Sequence, residues 1–64
     1  MTDTQKRSIL KEVAVHPNKG TYSVDPNLRN DLSEIAPYVV GFKPYLRSFY
    51  CEGLSSLGES FLSQ

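Results

Sequence analysis

Residues 42–61 read FKPYLRSFYCEGLSSLGESF. At about 100° per residue, a helix here would bring Phe42, Leu46, Phe49, Tyr50, Leu54, Leu57 and Phe61 to one side and leave Arg47, Ser48, Glu52, Ser55 and Glu59 outside that arc. The spacing predicts a helix that opens at Lys43-Pro44, with proline in its first turn, and runs to about Leu57. Gly58 then either ends the helix in a left-handed cap or lies inside one that continues to Leu62, at about 1 kcal/mol for each interior glycine. Gly53 falls within the arc as a notch that another backbone could approach. Cys51 falls outside the arc.

So broad an apolar stripe is hard to hide in 64 residues. A chain of this size makes a single domain, residues 1–64, and buries only about 60% of the surface its unfolded form exposes. A core of this size rarely supplies more than about 3–5 kcal/mol, so small folds usually add a disulfide, a metal or a partner. Cys51 is the only cysteine, which excludes an internal disulfide. His16 and Cys51 are the only soft ligands, whereas structural zinc takes about four. No metal or cofactor is therefore expected. What remains is self-association into a homo-oligomer, or a protein partner.

The aromatic side chains sharpen that expectation. Tyr38, Phe42, Tyr45, Phe49 and Tyr50 are interleaved with Lys43 and Arg47. Tyrosine and arginine are enriched at protein–protein hot spots, because tyrosine joins a large apolar body to a polar tip. The expected protein-binding residues are Phe42, Tyr45, Leu46, Phe49, Tyr50, Leu54, Leu57 and Phe61. The same rings could instead stack on single-stranded nucleic acid, but such platforms carry surplus positive charge. Here seven Lys and Arg balance seven Asp and Glu. The one local surplus lies in residues 1–20, where Lys6, Arg7, Lys11 and Lys19 stand against Asp3 and Glu12. It reads first as a solvated segment and second as a nucleic-acid contact.

Along the rest of the chain, Asp3 or Thr4 is placed to cap a first helix reaching about Glu12, with Ile9, Leu10 and Val13 as its apolar strip. VAVH-PNKG-TYSV, residues 13–24, reads as a hairpin, with Gly20 supplying the positive φ of its loop. The rival reading extends the first helix to Val15 and ends it at Pro17. Asp25-Pro26 opens a second helix carrying Leu28, Leu32 and Ile35, which should stop at Ala36 because Pro37 follows. Tyr38-Val39-Val40 is either a third strand or a turn into the last helix, with Gly41 marking the break. The fold class is α+β: a β-hairpin or three-stranded antiparallel sheet packed by short helices and an amphipathic C-terminal helix.

No catalytic constellation competes with the stripe. Asp25 to Asp31 resembles the start of a calcium loop, but Arg29, Asn30 and Ala36 occupy positions that need a ligand, a glycine and a glutamate. His16 and Cys51 offer no convincing nucleophilic pair, and Asp31 with Glu34 is most simply a solvated face. The glycines lack phosphate-loop spacing. The expectation is a small non-enzymatic accessory protein, of the kind viruses also encode, that self-associates or binds and inhibits a larger protein as a regulator. It is expected to be soluble and cytoplasmic, since neither a signal peptide nor a membrane span is legible and an unpaired cysteine suits a reducing compartment. No small-molecule substrate is evident. The alternative is a winged-helix-like transcriptional regulator, with the hairpin as wing and Lys6, Arg7, Lys11 and Lys19 on nucleic acid.

Overall fold

The computed structural model describes residues 1–64 and runs α1 (Asp3–Val15), β1 (Thr21–Ser23), a 3₁₀ helix (Pro26–Tyr38), β2 (Val39–Val40), β3 (Lys43–Pro44), β4 (Ser48–Tyr50), β5 (Gly53–Leu54) and α2 (Ser56–Leu62). The fold is α+β, as its class was read. One antiparallel sheet has the order β1-β4-β3, and β2 pairs with β5 in a second. No helix is long and apolar enough to cross a membrane.

The segment expected to form the last helix is mostly extended. Strands β3, β4 and β5 occupy Lys43 to Leu54, and only Ser56–Leu62 is helical. A period of two in the sequence won over the apolar arc: Phe49 and Cys51 are buried, whereas Ser48 and Tyr50 are half-buried and Glu52 is exposed. Phe49 pairs with Tyr22 of β1 and with Pro44 of β3. Its ring stacks on Tyr22 at 5.5 Å and meets Phe42 at 5.8 Å. Pro44 fits the ladder because the bond from Tyr45 N–H to Ser48 O (2.8 Å) makes Tyr45 and Lys43 the bonded positions. The residue between them faces outward and needs no donor.

The hairpin expected at 13–24 is replaced by its rival. α1 continues through Val15, and β1 takes its partner from β4, far along the chain. The helix prevails because Ile9, Leu10 and Val13 recur at helical spacing and a capping box holds its start. Thr2, rather than Asp3 or Thr4, is the cap: its hydroxyl accepts from Gln5 N–H (3.1 Å) while the Gln5 side chain accepts from Thr2 N–H (2.8 Å). Gly20 does adopt the positive φ read for it, at 82°, but in the link from α1 to β1.

Asp25 caps the second helix, accepting from Asn27 N–H at 2.9 Å. That helix is wound as 3₁₀ and passes through Pro37 to Tyr38 instead of stopping at Ala36. Asn27, Asn30, Asp31 and Ser33 are poor α-formers, and a fixed proline φ suits 3₁₀ geometry with the loss of one donor. At three residues per turn, Leu32, Ile35 and Tyr38 align in one column toward the core. Asp31 and Glu34 align in another. These two carboxylates are not a free solvated face: the Met1 ammonium donates to Glu34 (3.2 Å) and lies 3.6 Å from Asp31. The hydrogen bond to Glu34 foremost raises its pKa above 8.0.

Nine side chains close the core: Leu10, Val13, Tyr22, Val24, Leu32, Ile35, Val39, Phe49 and Cys51. α2 is bolted to the end of the 3₁₀ helix by Ser55. Its hydroxyl donates to Pro37 O (2.8 Å) and accepts from Gly58 N–H (3.2 Å), and its N–H donates to Tyr38 O (3.0 Å). Gly58 is thus an interior, buried residue of α2 rather than its terminator, and a Cβ there would collide with the Tyr38 carbonyl oxygen.

Two stability outcomes follow from this packing and are checked by denaturant unfolding. Phe49→Ala should cost about 3–5 kcal/mol, because a fully buried ring leaves a cavity. Gly58→Ala should cost about 1–3 kcal/mol, because backbone must move to admit one methyl.

Candidate protein-binding surface

The reversal between β3 and β4 is made by Tyr45, Leu46, Arg47 and Ser48. Two bonds hold it: Tyr45 N–H to Ser48 O at 2.8 Å, and Val24 N–H to Arg47 O at 3.0 Å, which fastens the tip to the end of β1. Tyr45 and Leu46 nonetheless stand 53% and 63% exposed. Strand parity then continues the surface inward, since Lys43, Tyr45 and Tyr50 share the side opposite Phe49. Lys43 Nζ lies 5.9 Å from the Tyr50 ring centroid. The result is a hydrogen-bonded tip with Tyr45 and Leu46 at its end, flanked by Tyr50 and by two cations, Lys43 and Arg47.

The eight residues expected to bind a partner are therefore divided among several environments. Phe49 is fully buried and out of reach of any partner. Phe42, Leu54 and Phe61 are half-buried against the core, and Tyr50 is half-buried on the opposite face of the sheet. Leu57, on the first turn of α2, is 53% exposed, and Tyr45 and Leu46 form the tip. Val15 and Val40, exposed on α1 and β2, were not singled out in the sequence. Nothing in their local pattern separates them from core valines.

Most of the basic residues of the alternative reading have work inside the fold. Arg7 Nη1 donates to Phe61 O (3.2 Å) and Gln64 O (3.3 Å), and its guanidinium lies 5.0 Å from the Phe61 ring. It supplies the cation at the α2 C-terminus that α2 itself lacks. Lys6 pairs with Glu34 at 3.9 Å and lies 5.9 Å from the Tyr38 ring. Lys19 stands 5.8 Å from the Tyr22 ring. Lys11 alone has no such partner. Residues 13–24 hold the end of α1, a link and the single strand β1 rather than a hairpin, so the expected wing is not formed there.

The two reactive side chains are far apart in character. His16 is exposed, with Nε2 3.8 Å from Glu12 Oε1. Cys51, placed outside the apolar arc in the sequence, is fully buried in the core because β4 carries it inward after Phe49. No group of His, Cys, Asp and Glu side chains gathers at one point to hold an ion. A groove of about 440 Å³ runs between α1 and the end of β1, with Ile9, Val24 and Leu28 among its apolar lining and Glu12, Lys19 and Asp25 among its charges.

Comparison with protein-family models, with curated proteins and with solved structures finds no match in any of the three. What the chain does has to be read from its own surface.

Burial holds the Cys51 thiol above its ordinary 9.0, and burial first and Cys51 second hold the Tyr22 phenol above its ordinary 10.0. Both groups keep their protons more tightly folded than unfolded. Their contribution to stability is complete below about pH 9 and is lost as pH rises through the folded values. Urea unfolding followed from pH 7 upward should show stability falling first above about pH 8, as the Met1 ammonium loses its proton and its hold on Glu34, and then further above about pH 9, and Cys51→Ala should remove the thiol's share of that second fall.

Proposed function

We propose that this chain is a small non-enzymatic binding module, which acts by self-association or by stoichiometric binding to a larger protein whose activity it blocks. The observation that carries this reading is the hairpin tip. Tyr45 and Leu46 are more than half exposed although the backbone beneath them is tied on both sides. An ordered apolar tip binds at low entropic cost, because little has to be immobilised on contact. Tyr50, Lys43 and Arg47 surround it with the amphipathic and cationic side chains that binding hot spots favour. A reducing, cytoplasmic setting suits the proposal, since Cys51 is an unpaired thiol.

The test uses the intact chain as bait in lysate of its native host, beside the variant Tyr45→Ser/Leu46→Ser. Both positions are exposed, so the melting temperature should stay within a few degrees of the parent. The expected outcome is a protein recovered in stoichiometric amount with the parent chain and at least about tenfold less with the variant. Equal recovery by both, or no stoichiometric partner with either, contradicts action through the tip.

A further inference from the structure

β1 is an edge of the three-stranded sheet, and its outer side is bare. The bonds from Cys51 N–H to Gly20 O (2.9 Å) and from Val24 N–H to Arg47 O (3.0 Å) fix the ladder so that Gly20, Tyr22 and Val24 face β4. The N–H and C=O groups of Thr21 and Ser23 therefore point away from the sheet. No backbone or side-chain group of the chain is in position to bond them. The opposite edge, β3, carries Lys43 and Pro44, the residues that blunt an edge against pairing. β1 carries Thr21, Tyr22 and Ser23, with no proline, charge or bulge to protect it.

The sequence around this bare edge is self-complementary. Moving outward from Tyr22, the flanking residues are Thr21 and Ser23, then Gly20 and Val24, then Lys19 and Asp25. An antiparallel second copy, related by a two-fold axis at Tyr22, sets Thr21 opposite Ser23 of that copy and Ser23 opposite its Thr21. Those are the outward-pointing positions, so each pair exchanges both of its N–H···O bonds. Lys19 then stands opposite Asp25 of the second copy, and Asp25 opposite its Lys19. Opposite charges close both ends of the seam, and small hydroxyl side chains fill its middle. A one-residue slip would lose the exchange of bonds and the charge pairs together.

The groove beside α1 leaves room along the same edge. A two-fold axis perpendicular to the sheet keeps both α1 helices on one side, so that groove faces groove. The half-buried Ile9 and Leu28 gain cover there. An isologous contact of this kind is closed, because each copy uses the same edge on the other.

We propose that a second copy of this chain pairs antiparallel with β1 about Tyr22, joining two three-stranded sheets into one continuous sheet. This specifies the self-association half of the reading above and leaves the Tyr45–Leu46 tip free for a different protein.

Sedimentation equilibrium and amide hydrogen exchange on the full chain test it, between about 10 µM and about 1 mM. A dimer should form, and exchange at Thr21 and Ser23 should slow by about tenfold or more as it does, while Tyr22, already bonded to β4, changes little. Lys19→Glu, at an exposed position, should raise the dimer Kd about tenfold by setting like charges opposite at both ends. Asp25→Asn keeps the cap acceptor and should raise it less. A chain that stays monomeric to about 1 mM overturns the proposal. So does a dimer in which Thr21 and Ser23 exchange as fast as in the monomer, or whose Kd Lys19→Glu leaves unchanged. None of these failures touches recovery of a partner through the tip, which stands or falls on Tyr45 and Leu46.

Discussion

The contacts of Phe49 with Tyr22 and Phe42, at ring distances of 5.5 Å and 5.8 Å, join the β3–β4 reversal to a strand far back in the sequence. Phe49 occupies the middle strand, so its inward direction sets the parity of both neighbours. It puts Tyr22 and Phe42 toward the core and sends Thr21, Ser23, Lys43, Tyr45 and Tyr50 to the other face. α1 and the 3₁₀ helix then close over the inner face with Leu10, Val13, Leu32 and Ile35. A flat arrangement of the same aromatics along one helix would have left Phe49 at the surface and the sheet without a centre.

With nine core side chains, polar ties between elements matter more than they would in a larger domain. They are concentrated where helices end. Ser55 joins α2 to Pro37 and Tyr38, Arg7 closes the far end of α2, and Glu34 with Asp31 holds the Met1 ammonium. Each satisfies backbone or charged groups that a short helix cannot satisfy itself. The same thrift explains the surface. Side chains that the core cannot accommodate, Tyr45 and Leu46 above all, are held out on a closed reversal, and the unpaired groups of β1 remain on an edge.

The α+β class was legible because it followed from strong local signals: the Asp25-Pro26 opening, the Ile9-Leu10-Val13 strip, the β-branched residues on either side of Gly20, and a helical C-terminus. Pairing was not legible. Residues 13–24 carry a hairpin signal and a helix signal at once, and the helix won through a capping box centred on Thr2, which the sequence offers no more openly than Asp3 or Thr4. Residues 42–61 satisfy a 3.6-residue period and, over Ser48 to Glu52, a two-residue one. Only the long-range match of Phe49 to Tyr22 decides between them. At the candidate site, Tyr45, Leu46 and Leu57 could be named from the sequence, but the burial of Phe49 could not, because burial is a property of the whole fold. Asp31 and Glu34 looked solvated because a 3₁₀ winding, which aligns them, leaves no signature separable from an α-helix in so short a stretch.

The division of the aromatic residues between core and surface depends on Lys43 to Leu54 being strand. Backbone ¹³Cα and ¹³Cβ chemical shifts of the intact chain report this directly, residue by residue. Strand-like shifts at Lys43–Pro44, Ser48–Tyr50 and Gly53–Leu54, with helical shifts beginning only at Ser56, are the expected result. An unbroken helical run from Pro44 to Leu57 would contradict it, returning Phe49 to an exposed stripe and removing both the tip and the middle strand that supports β1.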